Sequence, residues 1–362
     1  MRKFLLHVIL GLSIGQIVLA QTTEEPKGKF SGTIFGTYFY NVARDTGIRN
    51  LKNVAYPGDK NVNGMSVQRA LLNYDYKWNS SFSSRVALES DEKNFTASAD
   101  NKSYRFSMFL KDAWVQWRFH MNHTVIFGLQ ATPPFEMMEG MWGNRFLEKT
   151  IIDLRGVVAT RELGIGLKGQ FDSTGTIKYH LLIGNNSPSK PEDNKYKRFY
   201  GQIIVSPIAN LSFLVYTDYQ MQASVRDTFI GKMVSGDILT YAFSVGYKKK
   251  EKLSAGVDVY LINAQNAHNS GTALENRSGI GISTYGTYYF SPKVAAVLRY
   301  DYFEPNNKVS GDTRQLFIVA CNLKPSEKFT IAPNVVMESY EKIGNRSITE
   351  SISARISFNW TF

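Results

Sequence analysis

The side chains best suited to chemistry are few and scattered. Past the first twenty residues the histidines are His120, His123, His180 and His268, and none has a nucleophile or an acid at a spacing that defines a hydrolase. A lone cysteine, Cys321, forms no internal disulfide and rules out a Cys-rich zinc site. There is no HExxH pair and no Walker A loop, and Gly164 and Gly166 sit in a strand-like stretch instead of a phosphate cradle. These observations predict no catalysis, no cofactor and no metal centre. What is left is charge: 42 Lys and Arg against 31 Asp and Glu, a net +11. That excess favours anionic partners, but it is spread thinly and only Lys248-Lys249-Lys250 run together, so nucleic acid is not expected. The triplet suits anionic lipid headgroups instead.

The elements that must carry these charges repeat every two residues. At the end of the chain Ile352, Ala354, Ile356, Phe358, Trp360 and Phe362 alternate with Ser351, Ser353, Arg355, Ser357, Asn359 and Thr361. The same alternation marks 208–221 and 236–248, and about sixteen such segments follow one another from 29–41 to 346–362. Short connections such as 79–81, 121–123, 206–207, 291–292 and 324–327 alternate with long ones such as 42–64, 131–159 and 222–235. Near residue 110 the alternation changes phase, which predicts a bulge.

Residues 1–20 begin with Arg2 and Lys3, continue through an apolar stretch and close on Val18-Leu19-Ala20, the pattern of a secretory signal peptide. Beyond Ala20 no run of 18 apolar residues occurs, so a spanning helix is not expected. Aromatic residues reach 13%, and Tyr74, Tyr76, Trp78, Trp117, Phe119, Phe171, Tyr288, Phe290, Trp360 and Phe362 all fall at the short-turn ends of their strands. Rings with a polar tip collect at a membrane–water boundary. In hydrocarbon every unpaired backbone group is costly, so such a sheet must close on itself. The expected fold is all-β: a transmembrane antiparallel β-barrel of about sixteen strands over 21–362, with short periplasmic turns and longer outer loops, in the outer membrane of a Gram-negative cell. A barrel of that size leaves an aqueous channel. The terminal Phe362 on an amphipathic strand suits capture by the barrel-assembly machinery.

Leu110-Lys111-Asp112-Ala113-Trp114-Val115-Gln116, then Gly128 to Glu136, Arg145 to Lys149 and Thr160 to Leu167 resemble the phosphate-selective porin O and P family. The resemblance covers roughly residues 104–171 and implies a sixteen-stranded barrel, a homotrimer, and a loop folded into the pore after Gln130.

The residues of 131–159 point the same way. Pro133-Pro134 stiffens its start, and Phe135, Met137, Met138, Met141 and Trp142 are too apolar to stay in water, so the segment is expected to fold inward and narrow the channel. Arg145, Lys149 and Arg155 would then be the constriction, a chemistry suited to small anions, although Glu136, Glu139, Glu148 and Asp153 nearly cancel them. On the strands Arg69, Arg85, Arg118, Lys168, Lys178, Arg198, Arg299 and Arg355 fall on the polar face as expected lining, with no regular cation row legible. The function expected is passive diffusion of small, preferentially anionic or phosphate-like solutes. The alternative is a plugged barrel acting as an adhesin or structural anchor.

Overall fold

The computed structural model describes residues 26–45, 59–91, 95–97, 104–187, 190 and 192–362; the signal peptide expected at 1–20 lies outside them. The period-two segments form strands β1 (Lys27–Ala43), β2 (Asn63–Lys77), β3 (Phe82–Ser90), β4 (Phe95–Ala97), β5 (Tyr104–Phe106), β6 (Phe109–His120), β7 (His123–Ala131), β8 (Arg161–Gln170), β9 (Ile177–Gly184) and β10 (Arg198–Ile208). The series continues with β11 (Leu211–Gln220), β12 (Val225–Asp227), β13 (Lys232–Val234), β14 (Ile238–Lys249), β15 (Leu253–Asn269), β16 (Leu274–Ser291), β17 (Val294–Glu304), β18 (Arg314–Ser326), β19 (Phe329–Tyr340) and β20 (Ser351–Thr361). Sixteen of them pair antiparallel, each with its neighbours in the chain, into a closed barrel; β4–β5 and β12–β13 are two small hairpins in the long connections.

The last strand seals the ring against the first, with Ile356 opposite Tyr38 and Trp360 opposite Ile34. Backbone bonds exchanged between Gly32 and Phe362, both 3.1 Å, finish the seam. In β20 Ser351, Ser353, Arg355 and Ser357 are buried inward, while Ile356 is 55% and Trp360 44% exposed on the outer wall. The outward rings meet along the short-turn rim: Phe30, Tyr74, Tyr76, Trp78, Phe82, Trp117, Phe119 and His123 pass ring to ring with centroids 4.7–6.4 Å apart.

The phase change near residue 110 is a bulge. Leu88 pairs with Leu110 and Ala87 with Asp112, so Lys111 is the extra residue. It is buried, with its ammonium on Glu89. Two short turns come later than expected. Pro207 and Pro325 lie inside β10 and β18, at register irregularities, and the turns follow one or two residues later. An irregular rung asks no ladder hydrogen bond of proline, which has none to give.

The interior departs from simple alternation. Between β7 and β8 the chain does not cross to a neighbouring strand directly but forms α1 (Phe135–Trp142) and α2 (Ile151–Leu154). Pro134 precedes α1, and Gly143 ends it in the left-handed region at φ 67°, its N–H on the Glu139 carbonyl. Phe135, Met138, Trp142, Leu147, Ile151 and Ile152 pack in two dry clusters against Leu182, Leu214, Tyr216, Val297, Leu316, Ile318 and Val336. These wall residues project inward, so β9 to β19 carry apolar side chains on both faces.

At Gly128 the backbone takes φ 119°, and a Cβ there would stand 2.2 Å from the Ala113 carbonyl oxygen. Gly128→Val is therefore expected to cost about 1–3 kcal/mol or more through strain alone. The check is the fraction of refolded protein that migrates as a compact, heat-modifiable barrel; wild-type yield from the valine variant contradicts this.

Candidate functional site

The inward segment is held by its backbone as much as by its side chains. Lys248 Nζ donates to Gly140 O at 2.6 Å, Ser254 Oγ to Met141 O at 2.7 Å, and Arg299 to Lys149 O at 2.5 Å. Arg198 reaches Val157 O at 3.3 Å. Asn144 bonds Thr287 at 3.0 Å and receives the Asn322 amide at 2.8 Å. Gly246 has no side chain because Met141 occupies that space: a Cβ would stand 2.7 Å from its Cγ.

Three cations expected to line water are buried instead, two of them against this segment. Arg198 forks onto Asp218 at 2.8 and 2.9 Å, and Arg299 onto Asp301 at 2.8 and 2.6 Å with its guanidinium 4.9 Å from the Trp142 ring. Both are buried, as is Arg355, whose Nε donates to Ser353. Arg155 is a further correction. Its side chain has no exposure, lies 2.7 Å from an equally enclosed Glu338 and covers the Phe303 ring at 4.8 Å, so it anchors the segment and meets no solute.

Arg145 and Lys149 take different positions. Arg145 keeps 19% exposure between Glu139 at 3.5 Å and Asp153 at 3.2 Å, and it lines open space. Lys149 is 4.0 Å from Asp153, outside that lining. The three expected constriction cations therefore do not converge on one opening.

The open space lies between the segment and the wall from β1 to β8. A cavity of about 670 Å³ there is lined by Arg69, Arg85, Arg145, Arg161 and Lys168 against Asp112, Glu136 and Glu139, with Trp114, Phe135 and Phe146 among its apolar members. A second, of about 320 Å³, shares Trp114 and Gln116 with it and runs to the short-turn rim past Lys27, Lys29, Lys77 and Arg118, with Asp75 as its carboxylate. The cations thus collect on one sector from rim to segment. Arg69, Arg85, Arg118 and Lys168 belong to it as expected lining; Lys178, exposed near the turn after β8, lines neither cavity.

Carboxylates position the sector's cations without covering them all. Arg85 forks onto Asp75 at 2.7 and 2.9 Å, Arg161 meets Asp112 at 2.5 Å, Lys168 meets Glu136 at 3.3 Å and Arg69 meets Glu89 at 3.0 Å. Arg161 and Lys111 escaped the alternation rule. Arg161 opens β8 and turns inward despite its parity, and Lys111 is the bulge residue. The break in phase near residue 110 was the available signal for the second; nothing marked the first.

Among the described residues the histidines lie apart from one another, except His120 and His123 at one turn. His180 is buried in β9, His123 Nδ1 lies 2.9 Å from the Tyr179 hydroxyl, and His268 belongs to β15 with Asn306 at 3.5 Å. At the long-loop end, Glu304, Asp312 and Glu341 bring carboxylate oxygens within 4.8 Å of one another. Oxygen donors of this kind suit a hard divalent cation. Glu341 already accepts from the Gly311 amide at 2.8 Å and from Thr313, which explains the cluster without an ion.

A scan against protein-family models finds no match, and a search of the curated proteins finds none. Solved structures do match. The outer-membrane channel DcaP of Acinetobacter baumannii is 12% identical, with a TM-score of 0.66 over 93% of this chain and 98% of that one. An anion-selective porin from Comamonas acidovorans is 9% identical, with a TM-score of 0.65 over 93% and 100%. In-vitro folded OmpT of Vibrio cholerae, in a trimer form, is 12% identical, with a TM-score of 0.57 over 94% and 100%. The chain has the fold of the outer-membrane porins.

Arg155→Met leaves Glu338 buried without its cation and is expected to lower barrel stability by about 3–5 kcal/mol, most of it recovered by adding Glu338→Leu. Urea unfolding in lipid vesicles checks both, and a single variant as stable as wild type contradicts the anchor. A second expectation concerns pH. Burial, then hydrogen bonding and repulsion from Glu304, with Glu341 adding to it, push the Asp312 carboxyl up to about 7. A raised carboxyl favours its protonated form in the fold, so its stabilisation is complete below about pH 4 and lost as pH rises through about 7. Hydrogen exchange at Gly311 and Thr313, corrected for intrinsic rate, is expected to lose protection through that interval, and Asp312→Asn to flatten the response.

Proposed function

We propose that the protein is an outer-membrane porin, a water-filled channel for passive diffusion of small solutes with a preference for anions, and that it has no enzymatic activity. The observation that carries this is the cationic sector: nine Lys and Arg against four Asp and Glu line the two joined cavities beside the segment. Arginine forks match carboxylate and phosphate oxygens, and rings of cations make anion-selective passages. Phosphate, which the resemblance of residues 104–171 implies, belongs to that class. In this reading Arg145 is the constriction cation, and Arg69, Arg85, Arg118, Arg161 and Lys168 are the lining. Lys149 modulates Asp153 from one side, and Arg155, Arg198 and Arg299 hold the seat.

The remaining elements of the proposal follow the barrel. Residues 1–20 direct export, Phe362 engages the assembly machinery, the outer wall faces lipid, and the chain assembles as a homotrimer, as the trimer form of OmpT supports. A plugged barrel acting as an adhesin or anchor draws on the two dry clusters that fill the β9–β19 side of the lumen. Conductance separates the two readings, because a plug passes no current.

Reversal potentials in planar bilayers under a salt gradient test the selectivity. Arg145→Ala is expected to lower the anion-to-cation permeability ratio about two- to fivefold, since a unit charge a few ångströms away in high dielectric is worth about 1 kcal/mol. Lys342→Ala, on the exposed connection after β19, is expected to change little. A cation-preferring wild type, or equal effects from the two variants, overturns the proposal.

A further inference from the structure

The outer wall is not uniform. Pairing places Leu211, Tyr247, Ala255, Gly286, Leu298 and Val319 on one rung across β11, β14, β15, β16, β17 and β18. The next rung runs through Val245, Val257, Thr284, Tyr300 and Phe317. On both rungs the members on β15 and β16 are small, and rings or long aliphatics stand on either side. The result is an almost wholly apolar hollow of about 730 Å³ on the outer wall; a second, of about 600 Å³, lies further round, past Val319 to Val335, Ile356 and Tyr38.

The turns beneath it are unlike the others. Lys249, Lys250, Glu251 and Lys252 join β14 to β15, Lys293 lies between β16 and β17, and Glu327 and Lys328 lie between β18 and β19; all are exposed. Five cations and two anions thus crowd three successive turns. Counted likewise with the strand residue before each, the four remaining short turns, at 77–81, 120–122, 170–176 and 208–210, contribute only Lys77 and Asp172. The turns are also physically adjacent: Tyr289 donates to Lys252 O at 3.1 Å, and Lys324 to Lys293 O at 2.8 Å. Ala255, on the first rung of the hollow, is the third residue after Lys252, roughly 10 Å along an extended strand.

We propose that this face is a binding site for an anionic phospholipid, its phosphate held by Lys249, Lys252 and Lys293 and one acyl chain laid in the hollow over Ala255 and Gly286. The inference rests on the outer-membrane part of the reading above. Charge complementarity selects the headgroup, because five cations on three adjacent turns favour a net anion, whereas the four other turns carry one cation and one anion between them. The depth of the wall selects the chain, since a single alkyl chain fills a furrow one strand pair wide. A second copy docked two-fold on this face would instead bring its own five lysines against these.

The test uses the full-length barrel in detergent with equal amounts of dioleoylphosphatidylglycerol and dioleoylphosphatidylethanolamine, and native mass spectrometry to count retained lipid. Wild type is expected to retain the anionic lipid preferentially. Replacing Lys249, Lys252 and Lys293 with Gln is expected to lower that retention about fivefold per lysine, while Lys178→Gln, on β9 away from these turns and outside both cavities, leaves it unchanged. Gly286→Leu fills the hollow at full charge; a Cβ there meets only the Ser254 carbonyl at 3.8 Å, so the barrel tolerates it, and retention is expected to fall again. Heat-modifiable migration shows that each variant is folded. Equal retention of the two lipids, no loss in either the triple or the Gly286 variant, or a dimer that Gly286→Leu dissociates overturns the proposal. Bilayer conductance of the same samples keeps the readings apart: a barrel that passes no current but prefers the anionic lipid sinks the channel and leaves this site standing.

Discussion

A sixteen-stranded ring encloses more width than its own side chains can fill, and everything inside this barrel follows from how that width is divided. The division is made by one connection of the chain. The segment between β7 and β8 buries Phe135, Met138, Trp142, Ile151 and Ile152 against the wall from β9 to β19, which answers with Leu182, Leu214, Leu316, Ile318 and Val336. Removing such side chains from water stabilises the contact by about 1.5–3 kcal/mol each at most. The half of the lumen so occupied is dry, and the other half keeps its charges in contact with solvent.

Ionic groups play opposite parts in the two halves. On the dry side Arg155, Arg198 and Arg299 are enclosed with Glu338, Asp218 and Asp301. A charge placed there is tolerated only with its partner, so these pairs fix where the segment sits more than they add net stability. On the wet side Arg85 and Lys168 are each about one-third exposed beside Asp75 and Glu136, where solvent weakens the pairing.

Period two was enough to read the ring, its strand count and the outward face of β20, because alternation is a direct record of which side chain meets which solvent. The rim of aromatic residues was legible for the same reason. Alternation could not tell which inward residues face water and which face protein, and so Arg198, Arg299 and Arg355 read the same as Arg69 and Arg85. A hint lay in Leu316-Phe317-Ile318-Val319-Ala320, where the run is apolar without interruption, as expected of a strand covered on both faces. The cationic sector was hidden for a topological reason: its members lie on β1, β2, β3, β6 and β8 and in the segment, and only closure of the ring brings them to one side.

The wall grips the segment largely through carbonyl oxygens, those of Gly140, Met141, Lys149 and Val157. Every residue type supplies that acceptor. The seat is therefore blind to much of what the segment's open face displays, and replacements there change what lines the cavity without asking the scaffold to be rebuilt. The chemistry of that open face is a detachable trait, free to drift while the frame stays put.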